Sequence, residues 1–182
     1  QFGILLSGSY SKTHRKPDNV ENGWTEEDGT YVVNETLFKD YDTKRERVAG
    51  TGALEWRPSD TDRFYIRGSY ARFKDDEYRN QLGIIWEDGD LQDGAPDRSA
   101  TYENVRITKQ VRHRTQVNEI WSIVGGGKNR LGDGKLSYDV SYSRSEQSYP
   151  NRNELLYRSS RRPTLSYDFG NGNDLPSYSL FQ

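Results

Sequence analysis

Aromatic, acidic and basic side chains that could bind a polar ligand are concentrated in two polar stretches of this sequence. The members are Trp24 with Glu26, Glu27 and Asp28 in the first stretch, and Asp75, Asp76, Glu77, Tyr78, Arg79, Trp86, Glu87 and Asp88 in the second. Aromatic faces stack on sugar rings, and carboxylates and guanidinium groups exchange hydrogen bonds with hydroxyl groups. Both stretches are therefore candidate binding segments. The alternative is that they are solvated loops whose aromatic side chains pack locally.

Residues suited to covalent catalysis or metal binding are sparse. His14 and His113 are the only histidines, and cysteine is absent, which excludes disulfides and thiolate metal ligands. No Ser–His–Asp spacing accompanies either histidine. The acidic run at 87–94 misses the calcium-binding EF-hand pattern, because Ser99 stands at the twelfth position counted from Asp88. The sequence therefore predicts no enzyme activity, no metal site and no cofactor.

The composition excludes several classes of protein. Hydrophobic residues make up 31% of the 182 residues and charged residues 30%, and no apolar run approaches the roughly 18–20 residues of a transmembrane helix. A net charge of -2 gives no long-range attraction for nucleic acid, so no nucleic-acid partner is expected. An aromatic content of 13% argues against a disordered chain. The absence of Met and the start at Gln1 predict a piece of a longer chain.

Period-two alternation of apolar and polar residues predicts β-strands. The predicted strands lie near 2–14, 44–57, 63–74, 104–124, 135–148 and 163–169, and long loops are predicted at 15–43, 74–103 and 149–162. The glycine-rich run from Gly125 lacks the downstream Ser/Thr of a phosphate loop, and a turn over Gly125–Gly134 is predicted instead. The register of 104–124 stays open, because Glu119 shares its parity with Trp121.

One face of each predicted strand is apolar, and short turns alternate with long loops. This favours an all-β fold: an antiparallel up-and-down meander of about six strands that forms part of a large transmembrane β-barrel wall. The membrane-girdle aromatics are then Tyr10, Trp56, Phe64, Tyr70, Tyr138 and Tyr142. On the polar face, Arg47, Arg57, Arg63 and Arg67 are expected to form a charge ladder with Glu55. The alternative is a soluble antiparallel sheet, whose strands also alternate.

Three sequence segments resemble the TonB-dependent receptors of the bacterial outer membrane. They are Phe2–Tyr10 (FGILLSGSY), Leu54–Asp60 (LEWRPSD) and Leu136–Ser145 (LSYDVSYSRS). The resemblance implies an N-terminal plug inside a barrel of roughly 22 antiparallel strands. No plug sequence and no energy-coupling box are recognised in these residues. The resemblance therefore assigns residues 1–182 to a partial barrel domain of about six strands.

The same resemblance implies a function in TonB-energised nutrient uptake across the outer membrane of a Gram-negative bacterium. The implied partners are outer-membrane lipid, the TonB complex through the plug of the parent chain, and an extracellular small-molecule or oligosaccharide ligand. A carbohydrate is favoured, and a ferric siderophore is the alternative. The expected ligand-binding residues in the outer loops are Trp24, Glu27, Asp76, Tyr78, Arg79, Trp86 and Asp88. A soluble all-β binding or adhesion module stays open as a different class of function.

Overall fold

The computed structural model describes residues 1–27, 29–95, 97–170 and 176–181, and in these residues the chain folds almost entirely into β-strands. The strands are β1 (Phe2–Arg15), β2 (Asp18–Glu27), β3 (Thr30–Trp56), β4 (Arg63–Ile85), β5 (Asp90–Ala95), β6 (Ser99–Glu103), β7 (Arg106–Leu131), β8 (Gly134–Arg158), β9 (Thr164–Asp168) and β10 (Ser177–Phe181). A 3₁₀ turn, Trp86–Asp88, follows β4. Among the described residues, no helix is long and apolar enough to span a membrane.

The strands form two sheets. The main sheet has the order β1-β3-β4-β7-β8, with β2 also paired to β3, and the second sheet has the order β10-β9-β6-β5. The main sheet is antiparallel, its strands follow one another in up-and-down order, and it is not closed. The predicted fold class is thereby confirmed as an all-β, antiparallel up-and-down meander whose open sheet is consistent with part of a barrel.

The long loops predicted at 15–43, 74–103 and 149–162 are wrong, because most of their residues lie in strands. β2 pairs with β3 from Asp18↔Asp40 to Glu27↔Thr30, with a register shift at Gly23/Trp24. β4 and β8 continue to Ile85 and Arg158. Main-chain hydrogen bonds hold a sheet ladder together whatever the side chains, so polar segments without an apolar face can still extend a strand. The predicted strand at 163–169 is confirmed by β9.

The turn predicted over Gly125–Gly134 is much shorter than expected. β7 runs to Leu131 and β8 begins at Gly134, so only two residues connect them. Gly132 has φ +62°, a left-handed conformation that glycine adopts without strain. Gly126 and Gly127 serve packing instead, since a Cβ at Gly127 would overlap the ring of Tyr138.

Gly126→Ala is expected to destabilise the fold by about 1–3 kcal/mol, the usual cost of overpacking. Its Cβ would overlap the backbone oxygen of Tyr138, which cannot move without shifting β8. Gly125→Ala is the matched control, because its Cβ would lie 3.7 Å from the Tyr65 carbonyl oxygen, an ordinary contact. Urea unfolding midpoints measure both variants. Equal midpoints would contradict the packing assigned to Gly126.

The chain divides into two compact units. The first unit comprises Gln1–His14, Thr43–Asp76 and Arg114–Arg152, and the second comprises Arg15–Asp42, Glu77–His113 and Asn153–Gln182. The hydrophobic core lies in the second unit, where side chains of both sheets meet. Its buried members are Val33, Ile84, Trp86, Ala100, Tyr102, Val105, Leu165 and Tyr167.

Trp86 is the centre of that core, with a relative exposure of 0%. Its ring centroid lies 5.0 Å from that of Tyr167, 5.7 Å from that of Tyr102 and 6.3 Å from that of Tyr178. The indole Nε1 donates a hydrogen bond of 3.0 Å to the buried Thr36 hydroxyl. Both the apolar and the polar parts of this large side chain are thus satisfied inside the protein.

Candidate functional site

The first unit exposes an apolar surface along alternate positions of its strands. The exposed members are Phe2, Ile4, Leu6, Tyr10, Val48, Leu54, Trp56, Ile66, Tyr70, Trp121, Ile123, Leu136, Tyr138, Val140 and Tyr142. We call this set the apolar face. Three of its side chains, Leu6, Val140 and Ile4, are 81%, 76% and 73% exposed. Large contiguous apolar surfaces of this kind mark a binding partner or a membrane.

A row of stacked aromatic rings bounds the apolar face beside the β3–β4 turn. The centroids of Phe2 and Trp56 lie 6.1 Å apart, and those of Trp56 and Phe64 lie 5.5 Å apart. Backbone hydrogen bonds of 2.9 Å in both directions between Gln1 and Arg57 hold β1 and β3 together at this end. The structure thus brings together the predicted girdle residues Trp56 and Phe64. The structure adds Phe2 to this aromatic row. Its position at the start of an alternating strand could have indicated this from the sequence.

A second aromatic row contains Tyr10, Tyr70 and Tyr142. The hydroxyl of Tyr70 donates a hydrogen bond of 3.0 Å to Glu119, and the rings of Trp121 and Tyr142 lie 5.2 Å apart. Tyr10 follows Phe2 by eight residues on β1, a separation of about 26 Å along a strand. The two rows therefore border the apolar face at its opposite ends.

The contacts of β7 settle the register that the sequence left open. The hydroxyl oxygens of Ser69 and Ser122 lie 2.8 Å apart, while Tyr70 reaches Glu119. Because side chains alternate along a strand, Glu119 and Trp121 share the face of Tyr70. Glu119 is accommodated there through an ion pair of 3.1 Å with Arg72.

The opposite face of the first unit carries charged side chains as well as the exposed Leu5 and Ile120, and the predicted charge ladder on it is only partly present. Glu55 accepts hydrogen bonds from Arg57, at 2.6 Å, and from Arg63. That part of the prediction is confirmed. Arg47 and Arg67 do not join the ladder. The guanidinium carbon of Arg47 lies 5.0 Å from the ring centroid of Phe73, and that of Arg67 lies 4.6 Å from the ring centroid of Tyr65, so both arginines stack on aromatic neighbours.

The predicted ligand-binding residues other than Asp76 lie in the second unit, where they occupy different environments. Trp86 is fully buried, so its expected exposure in a loop is wrong: the second sheet covers the ring. Trp24 is 45% exposed and packs against Phe169 at 5.4 Å. Glu27 is exposed at the end of β2. Asp88 forms an ion pair with Arg106.

Tyr78 and Arg79 follow each other on β4 and therefore point to opposite faces of the sheet. Tyr78 is 48% exposed and stacks on His113, with centroids 3.8 Å apart. Arg79 donates a hydrogen bond to the side-chain oxygen of Gln110, whose amide donates to Glu154. One small ligand cannot contact both Tyr78 and Arg79. Asp76 belongs to the first unit, where it accepts a hydrogen bond of 2.9 Å from Thr115.

Sequence reasoning missed a polar row of the second unit. Arg112 donates to Glu77 at 3.1 Å through Nε and also through a second guanidinium nitrogen. Gln110 joins Arg79 to Glu154. Gln110 and Arg112 are two positions apart on β7, which places both side chains on one face of the sheet. This face could not be assigned from the sequence, because the register of the strand was open.

No cluster of three or more His, Asp or Glu side chains in the described part of the chain could hold a metal ion. Within the acidic run, Asp88 binds Arg106, and Asp90 accepts a hydrogen bond of 2.8 Å from Asn104. Asp28 and the side chain of Asp93 lie outside the described residues.

Burial raises the pKa of three tyrosines in the core of the second unit. For Tyr167 the burial effect is strengthened by the neighbouring Tyr102, and its pKa lies far above the ordinary value of 10.0. Burial also raises the pKa of Tyr102 and Tyr178. A raised pKa means that folding favours the neutral phenol. The stabilisation is complete below pH 10 and is lost as the pH rises toward the folded-state value.

We therefore expect alkaline unfolding of the second unit to coincide with ionisation of its buried tyrosines. Tyr167→Phe removes one such phenol and should move the transition to higher pH. Tyr31→Phe is the control, because Tyr31 is 63% exposed in the same unit. Tyrosinate absorbance and circular dichroism, recorded against pH, give the two readouts. Ionisation of all tyrosines with the chain still folded would contradict this assignment.

Comparison with known proteins gives no family assignment. No protein-family model matches the sequence, and no curated protein matches it. Among solved structures, the membrane pore complex of pneumolysin matches with a TM-score of 0.21 and 4% sequence identity. That match covers 86% of this chain and 31% of the pneumolysin chain. A likeness this low supports no conclusion about function.

Proposed function

We propose that this chain is part of the wall of a TonB-dependent receptor that imports a nutrient across the outer membrane of a Gram-negative bacterium. The observation that supports this most is the apolar face of the first unit, bordered by one aromatic row at each end. Outer-membrane barrels present such a band to lipid, with aromatic girdles at the two interfaces and a polar interior. The polar face around Glu55 and Arg63 suits a water-filled interior.

Lipid explains why this apolar surface is exposed. Side chains such as Leu6 and Val140 gain about 25 cal/mol per Å² of apolar area removed from water. A hydrogen-bonded sheet also satisfies the backbone groups between neighbouring strands, which hydrocarbon demands. The apolar face alone does not specify a receptor class. The proposal of a TonB-dependent receptor rests on the resemblance of the FGILLSGSY and LEWRPSD segments to that family.

The proposed cargo is a carbohydrate, and a ferric siderophore is the alternative. Trp24 and Tyr78 keep about half of their surface exposed and could stack on a sugar ring. Glu27 and Asp88, which belong to the same unit, could supply hydrogen bonds to hydroxyl groups. Arg79 points to the face opposite Tyr78, and Asp76 belongs to the other unit, so neither is part of this proposed contact set. Trp86 is excluded from direct contact by its burial. The TonB complex would act through the plug of the parent chain, and transport would involve no covalent catalysis.

Ligand class is tested by titrating oligosaccharides and ferric chelates against the intact receptor. Trp24→Ala should weaken oligosaccharide binding, whereas Tyr31→Ala, an exposed aromatic in the β2–β3 hairpin, should leave it unchanged. Tight binding of ferric chelates together with no binding of oligosaccharides would replace the carbohydrate proposal by the siderophore one.

A soluble all-β binding or adhesion module is the second candidate. The packed core of the second unit favours it, because two sheets that share a buried aromatic core also stabilise soluble sandwiches. Such a module would need a partner to cover the apolar face.

Quenching of tryptophan fluorescence by brominated lipid separates the two candidates. In lipid vesicles, Trp121→Phe should remove part of the quenchable emission, because Trp121 lies on the apolar face. Trp24→Phe is the matched control in the second unit and should leave the quenchable emission unchanged. A folded, monomeric chain that needs no detergent and shows no quenching would contradict the membrane proposal and favour the soluble module.

A further inference from the structure

A tyrosine and a cation recur as a pair on the apolar face. The pairs are Tyr10 with Lys12, Tyr70 with Arg72, and Tyr142 with Arg144. Side chains two positions apart on a strand point to the same side of the sheet. Each cation therefore stands next to its tyrosine, just beyond the second aromatic row. All three pairs belong to the first unit.

Each of these cations is held by a glutamate in an open ion pair. The distances are 2.9 Å for Lys12–Glu46, 3.1 Å for Arg72–Glu119 and 2.7 Å for Arg144–Glu146. The side chains of these pairs are 35–59% exposed. Exposed ion pairs contribute little net stability. The cations can therefore exchange a carboxylate for another anion at small cost.

Positive charge is in excess along this row. Glu46 feels the charges of Lys74 and Arg72 in addition to that of Lys12. Four cations thus accompany three carboxylates, Glu46, Glu119 and Glu146. Guanidinium groups bind phosphate in a bidentate manner, and ammonium groups bind it as point charges. The row is therefore complementary to an array of phosphate groups.

We infer that Lys12, Arg72 and Arg144 bind the phosphate groups of anionic lipid headgroups at one edge of the membrane. This rests on the proposed membrane wall, because only membrane-spanning strands place the apolar face in the acyl chains. The tyrosine rings lie at the interface, and the long cationic side chains reach outward to the headgroups. The row then fixes the depth of the wall in the bilayer.

The test compares the partition of the 182-residue chain into phosphatidylcholine vesicles and into vesicles that also contain phosphatidylglycerol. A cation at the surface of an anionic membrane raises partition about fivefold, so three together raise it at most roughly a hundredfold. Glu46, Glu119 and Glu146 in the same row reduce that gain. The triple variant Lys12→Gln, Arg72→Gln and Arg144→Gln should lose this preference and still enter phosphatidylcholine vesicles. Replacing Glu46, Glu119 and Glu146 with glutamine should increase the preference.

The matched control removes three other cations of the first unit, Lys128, Arg130 and Lys135, which lie beside the β7–β8 turn. This variant should keep most of the preference for phosphatidylglycerol. Equal losses in the two triple variants would overturn the inference, because net charge alone would then explain it. Should the triple variant misfold by circular dichroism, the single variant Arg144→Gln on the edge strand β8 replaces it. That variant should lose about fivefold, and no loss would also overturn the inference.

Two further outcomes distinguish the possible failures. Failure of the wild-type chain to enter either kind of vesicle contradicts the membrane wall itself. Entry into both with equal partition overturns only the headgroup inference. Inorganic phosphate added to the detergent-solubilised protein should show no saturable binding. A saturable phosphate site that the three cation substitutions abolish would overturn the assignment to lipid.

Discussion

Trp86→Ala is expected to destabilise the second unit by about 3–5 kcal/mol, the usual cost of truncating a fully buried tryptophan. The substitution removes the ring contacts to Tyr102, Tyr167 and Tyr178 and the hydrogen bond to Thr36. Because Trp86 is fully buried within the core cluster, the substitution leaves a cavity, and its cost depends on how far the surrounding side chains can move into it. Hydrogen exchange of the backbone around β6 and β9, together with urea unfolding, measures the effect.

Trp24→Ala is the matched control for Trp86, since it removes the same side chain from a position that is 45% exposed. We expect a loss well below that of Trp86→Ala. Thr36→Val tests the polar contact separately, because it leaves the indole N–H without its acceptor and should cost about 1–3 kcal/mol. Equal losses for the two tryptophans would show that Trp86 is not at the centre of the core.

Ile66→Arg on the apolar face is expected to lower the stability of the membrane-inserted form by about 2–4 kcal/mol, the cost of a cation on the lipid face near the bilayer midplane. Ile66 is 46% exposed and lies between Phe64 of one aromatic row and Tyr70 of the other. In water the same substitution replaces an exposed apolar side chain with a charged one and should improve solubility. The substitution is thus expected to be unfavourable in a membrane and favourable in water.

Ala53→Arg is the control for Ile66→Arg, because Ala53 lies on the polar face beside Glu55 and Arg67. It should insert into vesicles nearly as well as the wild type. Partition between vesicles and buffer, followed by urea unfolding in the vesicles, measures both variants. A smaller loss for Ile66→Arg than for Ala53→Arg would show that the apolar face does not meet lipid.

Alternation along the chain predicted most of the strand residues of the first unit, although the register of β7 stayed open and residues 125–131 were assigned to a turn. In β8, for example, Tyr138, Val140 and Tyr142 alternate with polar residues in the sequence, and their spacing of two places them on one face of the strand in the structure. The period of two is a local property, and the sheet imposes it on every strand that has one apolar side. The aromatic positions that border the apolar face could be recognised for the same reason.

The second unit could not be predicted in this way. Trp86 precedes Glu87 and Asp88, a local pattern typical of an exposed loop, and its burial depends on Tyr102 and Tyr167, which follow much later in the chain. Likewise, β2 contains charged residues on both faces and is specified by its pairing with β3. Pairing between segments far apart in the chain does not produce a recognisable pattern in a short stretch of sequence.

The order of the main sheet has a consequence for strand direction. Five strands, β1, β3, β4, β7 and β8, lie side by side and alternate in direction, so the two edge strands β1 and β8 run the same way. A ring made only of copies of this chain would have to join β8 of one copy to β1 of the next as a parallel pair. Joining the two edges with antiparallel pairing throughout requires an odd number of additional strands. Any closed up-and-down barrel that contains this sheet therefore has an even number of strands, the parity of single-chain outer-membrane barrels.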